Sequence, residues 1–161
     1  MFKRILVPLD GSRYGSKALD YARAIAEKFG AEIILLQVVK PSVPVTPTGI
    51  GEPMIQSPAA TRTAIQIAQN EDKRNSTSAA RYLGRKVRDL KAKNIEGSYQ
   101  IIIGTPAEAI MNYSQKNKID LIIMTTHGKS GIVRAVMGSV ADEVVRNSGK
   151  PVMVIRPKKG K

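Results

Sequence analysis

Five apolar runs alternate with stretches of helical spacing along the chain. Residues 3–9, 31–39, 98–104, 120–124 and 151–156 each hold a cluster of Ile, Leu or Val and read as strands, residues 120–124 as a strand buried on both faces of a parallel sheet. After the first run, Tyr14, Ala18, Ala22, Ile25 and Phe29 recur three and four residues apart. They predict a helix with one apolar face, capped by Ser12 or Ser16 and stopped at Gly30. Residues 63–94 predict a second, longer helix with Ala80, Leu83, Val87 and Leu90 as its inner seam. Thr105-Pro106-Ala107-Glu108 reads as a capping box with proline at the first helical position, opening a short helix that carries Ile110, Met111 and Tyr113. Residues 139–147 predict the fourth helix, with Ser139 as its cap and Asp142 as a weaker box partner. Each parallel return needs a crossover, and crossovers are right-handed. The pattern therefore predicts the α/β class: a single doubly wound five-stranded parallel sheet of order 3-2-1-4-5 with helices on both faces.

One stretch breaks the alternation. Residues 41–62 contain Pro41, Pro44, Pro47, Pro53 and Pro58 among Gly, Ser and Thr, and predict a flexible loop within one domain spanning residues 1–161. The loop is open to two readings, a surface insertion or a lid over the carboxyl end of the second strand.

In a doubly wound sheet, ligands bind beyond the carboxyl ends of the strands where the strand order reverses. Asp10 stands at such an end, followed by Gly11 and Ser12. It is either a ligand-facing carboxylate or the anchor of an Asx turn. The richest candidate is the connection after the fourth run, where Gly128, Gly131 and Gly138 permit close backbone approach and Ser139 opens a helix whose free N–H groups attract phosphate. Gly128-Lys129-Ser130 looks like the tail of a Walker-type loop, but the glycine that motif requires would fall at Ile123, inside the strand. That motif is excluded. No Gly-x-Gly-x-x-Gly stands at a strand-to-helix junction either. A glycine-rich loop that binds nothing is the alternative.

The same stretch resembles the nucleotide loop of the universal stress protein family, Gly-x-x-Gly, nine residues, then Gly-Ser or Gly-Thr. Thr125, Gly128, Gly138 and Ser139 fall on its four positions, so the first glycine is replaced by threonine. The opening Ile-Leu-Val-Pro-Leu-Asp-Gly-Ser, the Thr-His-Gly-Lys-Ser-Gly stretch, Met-Gly-Ser-Val-Ala-Asp and Lys-Pro-Val-Met-Val-Ile-Arg extend the likeness from Ile5 to Arg156. Gly104-x-Pro106 also resembles the family's third-strand turn, although capping alone accounts for it equally well. The resemblance implies an adenine nucleotide alpha hydrolase-like fold and an ATP site. Its lining would be Pro8, Leu9, Asp10, Val38, Gly104, Met124, Thr125, His127, Gly128, Gly131, Gly138, Ser139 and Val140. Adenine would lie near Val38, ribose near Asp10 and Thr125, and phosphates on the loop and the following helix. Asp10 is also the candidate magnesium ligand, since magnesium takes one carboxylate plus phosphate oxygens. The family further implies a stress-response regulator that forms a homodimer through the fifth strand and acts on an unknown client protein. Thr125 adds bulk where the family often has none, which keeps a dimeric interaction module without ATP as the alternative.

Composition narrows the functions further. The chain has no cysteine, so thiolate metal sites, thiol nucleophiles and disulfides are excluded. Its one histidine, His127, has no acidic partner evident in sequence, and is either a water-orienting group or a hydrogen-bonded loop residue. Catalysis is not expected beyond slow ATP hydrolysis. No apolar run approaches the ~20 residues of a membrane span and no signal-peptide core precedes the first strand, which predicts a cytoplasmic protein without a membrane partner. The net charge of +13 raises nucleic acid as a partner. Arg74, Arg81, Arg85 and Arg88 line one helix face, with Lys73, Lys86, Lys91 and Lys93 nearby. A solvated face is the plain reading of such a stripe. With two Phe, five Tyr and no Trp, stacking is poorly supplied, so nucleic-acid binding is expected to be at most non-specific.

Overall fold

The computed structural model describes residues 2–43, 58–126 and 137–156. The apolar runs form β1 (Arg4–Pro8), β2 (Glu32–Val39), β3 (Gly97–Ile103), β4 (Leu121–Thr125) and β5 (Val152–Ile155). They pair in parallel as β3-β2-β1-β4-β5, the order expected from the alternation. β1 lies between β2 and β4, with Leu6 level with Ile34 on one side and Ile122 on the other.

Because strand side chains alternate between faces, the central strands feed two cores. Ile5, Val7, Ile33, Leu35 and Ile123 join one cluster with helices α1 (Lys17–Phe29) and α2 (Pro58–Lys91). Leu6, Ile34, Leu36, Ile122 and Met124 join the other with α3 (Pro106–Lys116) and α4 (Ser139–Asn147). The sheet is thus covered on both faces. Leu83 and Leu90 of α2 are fully buried against it, and each such side chain contributes roughly 1.5–3 kcal/mol of hydrophobic stabilisation.

Several local expectations are corrected. The loop reading of residues 41–62 fails at its end, because Pro58 opens α2. Proline fits a first helical turn, where its missing N–H has no acceptor within the helix. The α2 seam runs through Ala79, Leu83, Val87 and Leu90, with Ala80 only half-buried. On α1 the inner face is Ala18, Leu19, Ala22 and Ala26, while Tyr14 and Phe29 are exposed. Small alanines let that helix lie close to the sheet. Gly30 ends it in a left-handed turn (φ 67°), as its sequence position indicates.

The helix starts also differ from the capping boxes. Ser16 precedes α1 with helical backbone angles and no side-chain cap bond. Its hydroxyl instead bonds the Ser12 carbonyl at 3.1 Å and the Tyr82 hydroxyl at 2.8 Å, tying α1 to α2. Thr105 occupies the cap position of α3 with Pro106 following, but makes no side-chain cap bond. At α4 the cap residue is Gly138, and Ser139 is the first helical residue.

Candidate functional site

β1 ends in a turn built from its own side chains. The Leu9 N–H continues the ladder to the Leu36 carbonyl at 2.8 Å. Asp10 Oδ1 accepts both the Ser12 N–H at 3.0 Å and the Ser12 hydroxyl at 2.7 Å. The Ser12 hydroxyl in turn accepts the Gly15 N–H at 2.9 Å. Gly11 takes φ 80°, and a Cβ on Gly15 would stand 2.4 Å from Asp10 Oδ1. The two glycines therefore let the chain fold around the carboxylate. Asp10 is the anchor of an Asx turn, the structural reading of the sequence. One carboxylate oxygen is committed to that turn, and Oδ2 has no hydrogen bond to a described residue.

The junction after β4 is closed by backbone instead. The Thr126 N–H bonds the Ile155 carbonyl at 2.9 Å, and the Thr126 carbonyl accepts the Gly138 N–H at 2.9 Å. A Cβ on Gly138 would lie 2.4 Å from that carbonyl oxygen. Only glycine fits. The clamp brings both ends of the glycine-rich connection together and fixes where α4 begins. The Gly138 carbonyl accepts the Asp142 N–H at 2.9 Å, which leaves the N–H groups of Ser139, Val140 and Ala141 without an acceptor inside the helix. Asp142 stands in the first turn, with both its oxygens 3.0 Å from Arg146 Nε. That pairing raises the Arg146 pKa and offsets the negative charge near the helix start.

The remaining candidates converge on the same end of the sheet. β1 and β4 are neighbours where the strand order reverses, with Asp10 following the carboxyl end of β1 and Thr126 that of β4. Pro8 is half-buried and Leu9 buried. Val38 packs against the α3–α4 core, and the Gly104 N–H bonds the Val39 carbonyl at 3.0 Å. Met124 and Thr125 are buried, Val140 is half-buried and Ser139 exposed. His127, Gly128 and Gly131 lie outside the described residues. Among the described residues no group of three acidic, histidine or cysteine side chains forms a metal cluster.

Gln37 was not among the sequence candidates. Its amide nitrogen lies 3.7 Å from where a Gly11 Cβ would stand, and its Oε1 is buried with no hydrogen-bond partner among the described residues. A polar residue interrupting the apolar run Ile-Ile-Leu-Leu-Gln-Val-Val was the available signal.

These features define a doubly wound α/β protein whose turns at the strand-order reversal combine a carboxylate, glycines and a helix start. The universal stress protein family matches residues 1–156, and the chain belongs to that family. Universal stress protein MJ0531 of Methanocaldococcus jannaschii is 32% identical over 161 residues, covering 99% of this chain and 85% of that protein. The solved structure of MJ0577 from the same organism superposes with a TM-score of 0.80 at 24% identity, covering 99% of both chains. UspA from Lactobacillus plantarum gives a TM-score of 0.71 at 26% identity, covering 96% of this chain and 98% of its own. Among the described residues, no helix is long and apolar enough to cross a membrane.

Proposed function

We propose that this chain is an ATP-binding regulatory protein of the stress response, in which occupancy by nucleotide rather than catalysis carries the signal. The observation that supports the reading is the Gly138–Thr126 clamp, which fixes the start of α4 after β4, the strand next to β1 at the order reversal, with the N–H groups of Ser139, Val140 and Ala141 lacking acceptors inside the helix. A helix start of this kind favours phosphate. Asp10 Oδ2 would accept a ribose hydroxyl or take one position on a magnesium ion, whose other ligands would be phosphate oxygens and water. Val38 would face the base, and Gly128 and His127 would complete the loop. The Gly138 N–H itself is donated to Thr126, so the phosphate donors on α4 are Ser139, Val140 and Ala141. Two structures of this fold support an adenine nucleotide as ligand: one universal stress protein in complex with cAMP (TM-score 0.58, 21% identity), and one from Arabidopsis thaliana with AMP bound (TM-score 0.59, 18% identity).

Isothermal titration with ATP, ADP and AMP tests this. ATP should bind most tightly, because it alone presents a third phosphate to α4, and Asp10→Ala should weaken all three by about tenfold through loss of one charge-assisted hydrogen bond. Equal affinity for the three nucleotides would remove the phosphate assignment. No binding at millimolar ATP would favour the second reading, an interaction module without nucleotide, for which the buried Thr125 at the first motif position is the supporting observation.

The homodimer would form along β5, which among the described residues pairs only with β4, and near which Met153 and Val145 are exposed. An unpaired apolar edge invites a second copy. Sedimentation should show a dimer, and a monomer at high concentration would exclude it.

A further inference from the structure

Part of the net charge of +13 gathers along one face of α2. Between Lys73 and Lys91, α2 carries seven cationic side chains against a single acid, Asp89. Arg74, Arg81, Arg85 and Arg88 are all exposed, and their spacing of seven, four and three residues keeps them on one face. The ion pairs among the described residues lie elsewhere, at Arg4–Glu32, Arg23–Asp20 and Arg146–Asp142. The stripe is therefore cationic and unneutralised. Where it begins, Asn70, Lys73, Arg74, Thr77, Ser78 and Arg81 line an open groove of about 570 Å³, which sets amide and hydroxyl groups beside the cations.

We infer that this face of α2 is a binding surface for the phosphodiester backbone of duplex nucleic acid, separate from the nucleotide site. From Arg74 to Arg88 the helix advances about 21 Å. A duplex carries one negative charge per ~1.7 Å of axis, so that length presents about twelve phosphates to a stripe of four arginines. The argument for a duplex over a single strand comes from Tyr82, the only aromatic residue of α2. Its hydroxyl is held by Ser16 and its ring lies under Lys86, with Nζ 5.8 Å from the centroid. It is not free to stack a base, and single-strand binding depends on such stacking. The surface reads charge and spacing, not sequence.

The test compares Arg81→Gln/Arg85→Gln with the charge-matched control Lys28→Gln/Lys116→Gln, whose lysines are exposed on α1 and α3. Anisotropy of a labelled mixed-sequence duplex, followed from low to physiological salt, should show that the stripe variant loses about tenfold in affinity at low salt. Its log K against log salt slope should shrink by about 2, one unit per lost phosphate contact. The control should keep the parent's slope and stay within twofold. Circular dichroism establishes that both variants fold. Equal losses in the two variants would overturn the inference, because net charge alone would then explain binding. So would a lack of duplex binding at low salt, or tighter binding to polyglutamate than to duplex of equal charge, which would indicate an acidic protein partner.

Discussion

At the amino end of the sheet, charged side chains cross-link neighbouring strands, whereas at the carboxyl end neighbouring strands are joined by backbone bonds and the Asp10 side chain bonds within its own turn. The amino-end chain is continuous. Ser98 of β3 donates to Glu32 of β2 at 2.9 Å, and Glu32 accepts from Arg4 of β1 at 3.1 Å. Arg4 also donates to the Asn117 carbonyl, and its backbone N–H reaches Asp120 beside β4 at 3.0 Å. Four adjacent strands are thus tied across one rim. At the other rim, Asp10 turns back to Ser12, and Thr126 closes on Gly138. Side chains that span strands leave little room for a ligand, while turns that satisfy themselves expose N–H groups and carboxylate oxygen. The difference separates a stabilising end from the end proposed to bind nucleotide, and each can be altered without the other.

The largest expected effect comes from the binding end. Gly138→Val places a branched side chain where a single Cβ already stands 2.4 Å from the Thr126 carbonyl oxygen. The clamp must open, and α4 no longer aims its N–H groups at the reversal point. ATP affinity should fall by at least a hundredfold, a loss of about 2.7 kcal/mol, with circular dichroism showing that the sheet still forms. Affinity equal to the parent's would mean that phosphate does not depend on this junction.

How far the sequence announced these two ends depends on how local each determinant is. Strand positions were legible because runs of Ile, Leu and Val report burial, but burial on both faces holds for β1, β2 and β4 and not for β3 and β5, the two edge strands, where no residue is fully buried. Asp10 was legible as either a ligand or a turn anchor, and the Ser12 bonds show it anchoring the turn while one oxygen remains. The start of α2 is hidden in the sequence because its Pro58 follows a proline-rich stretch, although proline at a first helical position fits without cost. The one-residue shift from Ala80 to Ala79 arose because two adjacent alanines give no hydrophobic contrast. The capping expectation for Ser139 failed for a nonlocal reason: a carbonyl twelve residues earlier, at Thr126, takes the Gly138 N–H and sets the helix boundary. The amino-end network was invisible for the same reason, since Ser98, Glu32, Arg4 and Asp120 are far apart in sequence and meet only once the strands are ordered.

A middle-sized effect should come from the stabilising end. Asp120 Oδ2 accepts the N–H groups of Lys3 at 2.8 Å and Arg4 at 3.0 Å. These backbone bonds, Lys3 first, hold its pKa below the ordinary 3.8. A carboxyl group with a depressed folded pKa contributes stability that is complete above its unfolded value and disappears as pH falls through the folded one. Asp120→Asn should therefore lower stability at neutral pH by about 1 kcal/mol, allowing for the solvent around a half-buried group. In denaturant melts the two proteins should converge below pH 3.8. ATP affinity at pH 7 should be unchanged. A deficit that persists undiminished at low pH would show that the carboxylate charge is not the source of the stabilisation.

The smallest expected effect lies where the two demands meet, at Thr125. It is the last residue of β4, level with Ile155 of β5, and it is buried. The strand favours a β-branched residue there, while the nucleotide loop of the family begins with glycine at this position. With the ribose placed as proposed, Thr125→Gly should remove bulk and tighten ATP about threefold, or roughly 0.7 kcal/mol. It should also cost about 1 kcal/mol of stability through the weaker strand propensity of glycine. Titration and thermal melting of the same preparation would read both changes. Tighter binding together with a lower melting temperature would show that the threonine favours the sheet over the ligand. Weaker binding would mean instead that the Thr125 side chain contributes a favourable contact to the nucleotide, so that the replacement of the motif's first glycine is part of the site.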